Sequence, residues 1–169
     1  MKSSSPGDEY ITPRWVWEPW HAVLGFVLDA AASQANKLPP CKLFYTKEDS
    51  AFDHNWALDV SAQWWHGSAA AWCNPPYSRT GGPLKKWVEK ALEESRRGLV
   101  IAMLLPADTS TDWFGLLWDR DKGMWRDGVQ GYFTDGRIRF IDPRTGEKTK
   151  GSPTFGSLVV VLSCFRNHF

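Results

Sequence analysis

The residues best suited to chemistry are Asn74, Pro75, Pro76 and Tyr77, in the run WCNPPYS at 72–78. Each proline lacks a backbone N–H and fixes φ near about −65°. Each residue before a proline is driven toward extended backbone. The result is a stiff bend that sets the side-chain carbonyl of Asn74 beside the peptide carbonyl of Pro75, with no proline N–H to compete. Two such acceptors hold an exocyclic amino group and draw its hydrogens out of conjugation. The nitrogen lone pair then turns toward an electrophile, and Tyr77 offers a flat face for a planar ring. No activating base is needed, because the nitrogen releases its proton after gaining positive charge. Positioning and directed dipoles carry such a reaction. The same four residues in an arbitrary protein are simply a rigid loop. Here they follow the apolar run AAAWC, precede an amphipathic segment, and lie 45 residues (74 − 29) after Asp29, an acid that ends an apolar run.

The elements that must position them can be read around the bend. TPRWVWEPWHAVLG (12–25) predicts a helix with Thr12 as N-cap, Pro13 at the first helical position and an irregularity at Pro19. FVLDAAAS (26–33) predicts a buried strand running into a loop at Asp29, and ANKLPPCKLFYT (35–46) a turn and a second strand, with Asn36 shaping the turn. KEDSAFDHNWALDV (47–60) reads as irregular or a short helix. GSAAAWC (67–73) predicts the third strand, which delivers the bend. In 82–98, Leu84, Trp87, Val88, Ala91 and Leu92 recur at helical spacing before Gly98. A continuous apolar strand follows at 99–106. Then come a helix at 110–119 capped by Ser110 or Thr111, strands at 129–135 and 136–142, and a last strand at 157–165. Alternating strands and helices predict an α/β domain with a mostly parallel sheet and an antiparallel strand near the C-terminus. Ligands in such sheets bind beyond the carboxyl ends of the strands, which is where Asp29 and Asn74 fall.

The totals narrow the class. With 169 residues, 43% hydrophobic and 23% charged, one globular domain is expected over 10–169, behind a loose Ser-rich tail at 1–9. A net charge of +1 excludes a globally basic polyanion binder, so any basic surface is local. Three cysteines without a CxxC pair, and four histidines without close pairing, argue against a disulfide framework or a metal site and fit a reducing cytoplasm. No signal-peptide pattern or membrane-length apolar run is present. Eleven tryptophans are many; some suit stacking on bases, and Trp64 with Trp65 is a candidate pair.

The bend is similar to motif IV (Asp, Asn or Ser, then Pro-Pro, then Tyr, Phe or Trp) of amino-group methyltransferases that use S-adenosylmethionine. Further segments match in order: YITPRWVWEP, LDAAASQANK, FYTKEDSAFDHNW, WCNPPYS, PLKKWVEKALEES, LLPADTSTDWF, GRIRF and SPTFGS. Together they span about 10–160, and the ordered set resembles the small phage and prophage Dam-like DNA N-6-adenine methyltransferases. The resemblance implies a Rossmann-like class I methyltransferase fold, S-adenosylmethionine as cofactor, double-stranded DNA as partner and a bacterial host cytoplasm as location. It implies that Asn74 and the Pro75 carbonyl grip adenine N6, that Pro76 stiffens the bend and that Tyr77 stacks on a flipped base.

The resemblance also assigns the methionine ammonium to Asp29 and cofactor-pocket lining to Thr12 and Pro13. It gives Asp49 the ribose or adenine amine, with Glu48 and Asp53 as rivals. AAAS stands where many such enzymes carry a glycine-rich loop. Ser78 and Arg79 lie next to the bend and suit the nucleic-acid backbone. Segment 118–150 carries eight basic residues against six acidic. Its loop RTGEKTKG, with Lys148 and Lys150, is the best phosphate contact. With no separate recognition domain, selectivity should be loose or confined to a short site. The alternatives are a methyltransferase for RNA or a protein glutamine amide, and a non-catalytic nucleic-acid-binding relative.

Overall fold

The computed structural model describes residues 10–64, 69–77, 83–151 and 153–164. The expected tail at 1–9, Trp65, Ser78 and Arg79 lie outside the described residues. The elements in order are α1 (Arg14–Leu24), β1 (Phe26–Asp29), β2 (Leu43–Phe44), α2 (Trp56–Gln63), β3 (Ala70–Cys73), α3 (Leu84–Arg96), β4 (Val100–Pro106), α4 (Phe114–Leu117), β5 (Trp118–Asp119), β6 (Met124–Trp125), β7 (Val129–Phe133) and β8 (Ser157–Leu162). A short 3₁₀ turn at Ala51–Asp53 precedes α2.

Six strands form one sheet in the order β2-β1-β3-β4-β8-β7. β1, β2, β3 and β4 pair parallel. β8 pairs antiparallel with β4 and with β7, so β7 runs in the same direction as β4. The one reversed strand is therefore β8, last in the chain yet internal in the sheet. From β1 the chain steps outward to β2 and then returns to the other side of β1 as β3. The carboxyl ends of β1 and β3, where the order reverses, are the preferred ligand position in open α/β sheets.

Apolar side chains cover both faces of the sheet, as buried parallel strands require. On one face Ala71, Ile101, Met103, Leu105, Leu158 and Val160 pack with Trp56 of α2, Val88 and Ala91 of α3 and Leu117 of α4. On the other, Phe26, Trp72, Ala102, Leu104 and Val159 pack with Val16 and Trp17 of α1 and with Ile138 and Phe140.

Three expectations need correction. The N-cap of α1 is Pro13, and no side chain caps it. Thr12 therefore does not serve as the cap. The helix expected at 110–119 shrinks to α4, because Asp108 accepts from the backbone and hydroxyl of Ser110 while Thr111 donates to the Asp108 carbonyl. Those side-chain bonds fix a turn where a helix start was expected. Segment 136–142 forms no strand. Ile138 and Phe140 alternate inward as a strand would, but the segment pairs only through isolated bridges at Ile141, with Ile11 and Lys148. The β5–β6 hairpin was not foreseen, its strands being two residues each.

Gly131, inside β7, has a direct packing role. A Cβ built there would lie 2.1 Å from the Trp125 ring. Gly131→Ala should displace that ring and lower stability by about 1–3 kcal/mol, read as a lower denaturant midpoint. A midpoint equal to wild type would show that the ring moves without cost.

Candidate active site

Asp29 closes β1, and its register partner on β3 is Trp72, two residues before Asn74. The acid is 3% exposed. Its Oδ1 accepts from the Ala31 N–H at 3.3 Å and its Oδ2 from the Leu38 N–H at 3.0 Å. Burial pushes its pKa from 3.8 up to about 6, against the opposing pull of these two donors and of Lys37. No described residue forms an ion pair with it. Lys37 instead places its ammonium 4.5 Å from the centre of the Phe44 ring. A buried carboxylate without a cation is costly to keep charged, and such groups concentrate at functional sites. Such a carboxylate suits a cationic ligand group.

The bend follows directly from β3, whose four residues are all buried. Pro75 is buried, and Asn74 and Tyr77 are half-buried. Asn74 Nδ2 donates to Thr12 Oγ1 at 3.2 Å. The Tyr77 hydroxyl lies 2.8 Å from the Leu104 carbonyl and 3.1 Å from Asn74 Oδ1. A phenol has one hydrogen, and the shorter contact commits it to Leu104. Asn74 Oδ1 is thus left with acceptor capacity. No described residue donates to the Pro75 carbonyl. Among the described residues, no donor is committed to either of these two acceptors. The Tyr77 ring meets Phe155 edge-on at 5.9 Å. Burial raises the pKa of its hydroxyl, which stays a neutral donor.

Thr12 and Pro13 are both buried, and Thr12 reaches the Asn74 side chain. The sequence suggested a helix cap or a pocket wall for Thr12, and gave no sign that its partner lay 62 residues away (74 − 12). Ile11 pairs with Ile141 by two backbone bonds of 2.9 and 3.0 Å. Ile141 also bridges Lys148, and the Asp142 N–H donates to the Glu147 carbonyl. The basic loop is therefore anchored one residue from Thr12, with Lys148 and Lys150 exposed. Arg144 in that loop is paired with Asp142.

Asp49 sits on the exposed loop after β2 and bonds His54 Nε2 at 2.7 Å. The other ring nitrogen of His54 lies 3.2 Å from Asp59, which accepts from the Tyr45 hydroxyl at 2.7 Å. The His54 pKa is raised, chiefly by its hydrogen bond to Asp49. This network was not foreseen. Among the rivals, Glu48 is exposed beside Lys47, and Asp53 lines a charged cleft with Lys86 and Glu89. Asn36 Oδ1 accepts from the Ser33 N–H at 2.6 Å, shaping the turn as expected. Trp64 is half-buried with Lys42 over its ring. Among the described residues, no His, Cys, Asp and Glu group could hold a metal, and no helix is long and apolar enough to cross a membrane.

A mostly parallel sheet that reverses its order between β1 and β3, with a buried acid after one and an Asn-Pro-Pro-Tyr bend after the other, has the architecture of a Rossmann-like methyltransferase. The family model for DNA N-6-adenine-methyltransferase (Dam) matches residues 2–169, and the chain belongs to that family. A DNA N-6-adenine-methyltransferase of Escherichia phage T1 is 34% identical over 165 residues, covering 92% of this chain and 62% of the relative. A second protein of that name, from Haemophilus phage HP1 (strain HP1c1), is 31% identical over 148 residues, covering 86% and 73%. The chain thus spans less than two thirds of the T1 relative. Membership implies a methyl donor of the S-adenosylmethionine type.

Proposed function

We propose that residues 10–169 form a single catalytic domain that methylates the N6 amine of adenine in double-stranded DNA. The observation that supports this reading is the bend itself: among the described residues no donor is committed to Asn74 Oδ1 or the Pro75 carbonyl, and the bend follows β3 next to β1, which ends in Asp29. S-adenosylmethionine, when bound, supplies an electrophilic methyl group. Asp29 would accept from its ammonium, Thr12 and Pro13 would wall its pocket, and Asp49 would accept from its ribose or adenine. Adenine N6 is out of reach in a stacked duplex, so the base must leave the helix, at a cost of a few kcal/mol. Asn74 and the Pro75 carbonyl would then hold the amine, while Pro76 keeps the bend rigid and Tyr77 lies along the base. Arg79, Lys148 and Lys150 would neutralise backbone phosphates and Ser78 would hydrogen-bond to them, contacts that carry no sequence information. Selectivity would accordingly be loose or limited to a short site, in a bacterial host cytoplasm.

The test uses plasmid DNA free of adenine methylation, incubated with the protein and S-adenosylmethionine. Nucleases that distinguish methylated adenine should then cleave it differently from untreated plasmid. Labelled methyl should go to DNA in competition with RNA and protein. Transfer to RNA or protein with DNA untouched would replace this reading with the corresponding alternative. Donor binding without transfer to any of them would make the chain a non-catalytic relative.

A further inference from the structure

Resting on the reading of DNA as substrate, we infer that Arg137 and Arg139 join Lys148 and Lys150 in one basic face that docks the phosphate backbone of the duplex. In the sequence this stretch is mixed, with acids interleaved among the basic residues. The fold sorts the signs. Ile141 bridges Lys148 antiparallel. The Thr149 N–H donates to the Phe140 carbonyl at 2.8 Å, and the Asp142 N–H to the Glu147 carbonyl at 2.9 Å. That pattern sets the Ile141 and Lys148 side chains together on one face. Side chains alternate along extended backbone, so Arg137, Arg139 and Lys150 share that face. Ile138 and Phe140 turn the other way into the core, 0% and 9% exposed. Arg137, Arg139, Lys148 and Lys150 are all exposed. Asp142 and Glu147, which flank the bridged pair, fall on the opposite side by the same alternation, and Asp142 is engaged by Arg144. Among the described residues, no ion pair or hydrogen bond involves any of the four cations. Like charges gathered without acids repel one another, and a row of phosphates is the partner that relieves this. The chain as a whole carries only +1, so the face is a local feature. Ile11 closes the other side of Ile141 with two backbone bonds and precedes Thr12, which meets Asn74. The basic face is thereby tied to the bend that would receive the flipped base.

The experiment follows binding of an unmethylated duplex oligonucleotide by fluorescence anisotropy over about 50–200 mM salt. It compares wild type with Arg137→Gln/Arg139→Gln, Lys148→Gln/Lys150→Gln and Arg144→Gln. Each phosphate contact contributes about 0.9 to the slope of log affinity against log salt. Each double variant should therefore lose about 1.8 from that slope and bind at least about tenfold more weakly at the low-salt end. Arg144→Gln removes a guanidinium already held by Asp142 and should bind within about twofold of wild type. In methyl-transfer assays the double variants should raise KM for DNA, with kcat at saturating DNA and S-adenosylmethionine affinity near wild type. Arg137→Lys/Arg139→Lys keeps the charges and should restore the slope; a loss there equal to that of the glutamine pair would make the arginines structural and overturn the inference. Wild-type affinity and slope in Arg137→Gln/Arg139→Gln would overturn it too. So would a loss in Arg144→Gln as large per charge, which would reduce the effect to net charge. Duplex binding through these residues without methyl transfer would uphold the inference and sink the catalytic reading. Methyl transfer to DNA with wild-type binding in both double variants would do the reverse.

Discussion

Asn74→Ala is expected to cut methyl transfer by roughly 10²–10³-fold, the scale seen when one directed hydrogen-bonding group is removed from a reaction centre. On the proposed reading, the alanine removes one of the two acceptors that would align the amine and leaves the Pro75 carbonyl alone. Asn74 follows β3 rather than lying in its core, and its side-chain bond goes to Thr12 rather than to the sheet ladder. The thermal midpoint and donor affinity should therefore stay near wild type. Single-turnover kinetics at saturating donor would locate the loss in chemistry. Wild-type turnover would remove Asn74 from the mechanism, and a collapsed midpoint would make it a structural residue.

Asp29→Asn should separate two effects that the native acid combines. In the folded protein the Asp29 pKa stands at about 6, above its ordinary 3.8, because burial disfavours the anion. The folded state then holds a proton that the unfolded chain has lost between those values. The stabilisation from this group is complete below about pH 4 and is lost as pH rises through about 6. At pH 7–8 the acid burdens the ligand-free fold by up to about 3 kcal/mol, at roughly 1.4 kcal/mol per pH unit over about two units. Asparagine is never ionised, so the variant's stability should stay level between pH 4 and 8 while that of the wild type falls, offset by the one backbone N–H that the amide nitrogen cannot accept. Donor binding should move the other way. Loss of a buried charge partner costs about 2–5 kcal/mol, so affinity should fall by at least tenfold. Wild-type affinity should also weaken as pH drops through about 6, while that of the variant stays level. Equal donor affinity in the two proteins across this range would dismiss Asp29 as the ammonium partner.

Both of these residues were visible in the sequence for a physical reason. An apolar run that ends abruptly in a polar residue marks the mouth of a buried strand, and Asp29 and Asn74 each end such a run. Parallel pairing of β1 and β3 brings the two mouths together, and composition and alternation indicated that class of sheet. The errors arose where one local pattern serves two structures. Ile138 and Phe140 bury alternately in a segment with almost no ladder, so alternation alone overstated strand. Ser110 and Thr111 suit a helix cap, but Asp108 captures both in a turn. Thr12 suits a cap equally well, and only the tertiary fold shows that its hydroxyl meets Asn74 in the bend after β3. The network of Asp49, His54, Asp59 and Tyr45 was hidden for the same reason, since its members approach through the loop between β2 and α2.

The position of β8 bears on how this chain comes to be folded. It emerges last among the strands, yet β4 and β7 have no other way to be joined. Until Ser157–Leu162 has been synthesised, the apolar β4 presents a bare edge, the kind of surface that recruits other chains. The sheet closes between β4 and β7 only once Ser157–Leu162 is available, so a nascent chain halted before Ser157 is expected to aggregate.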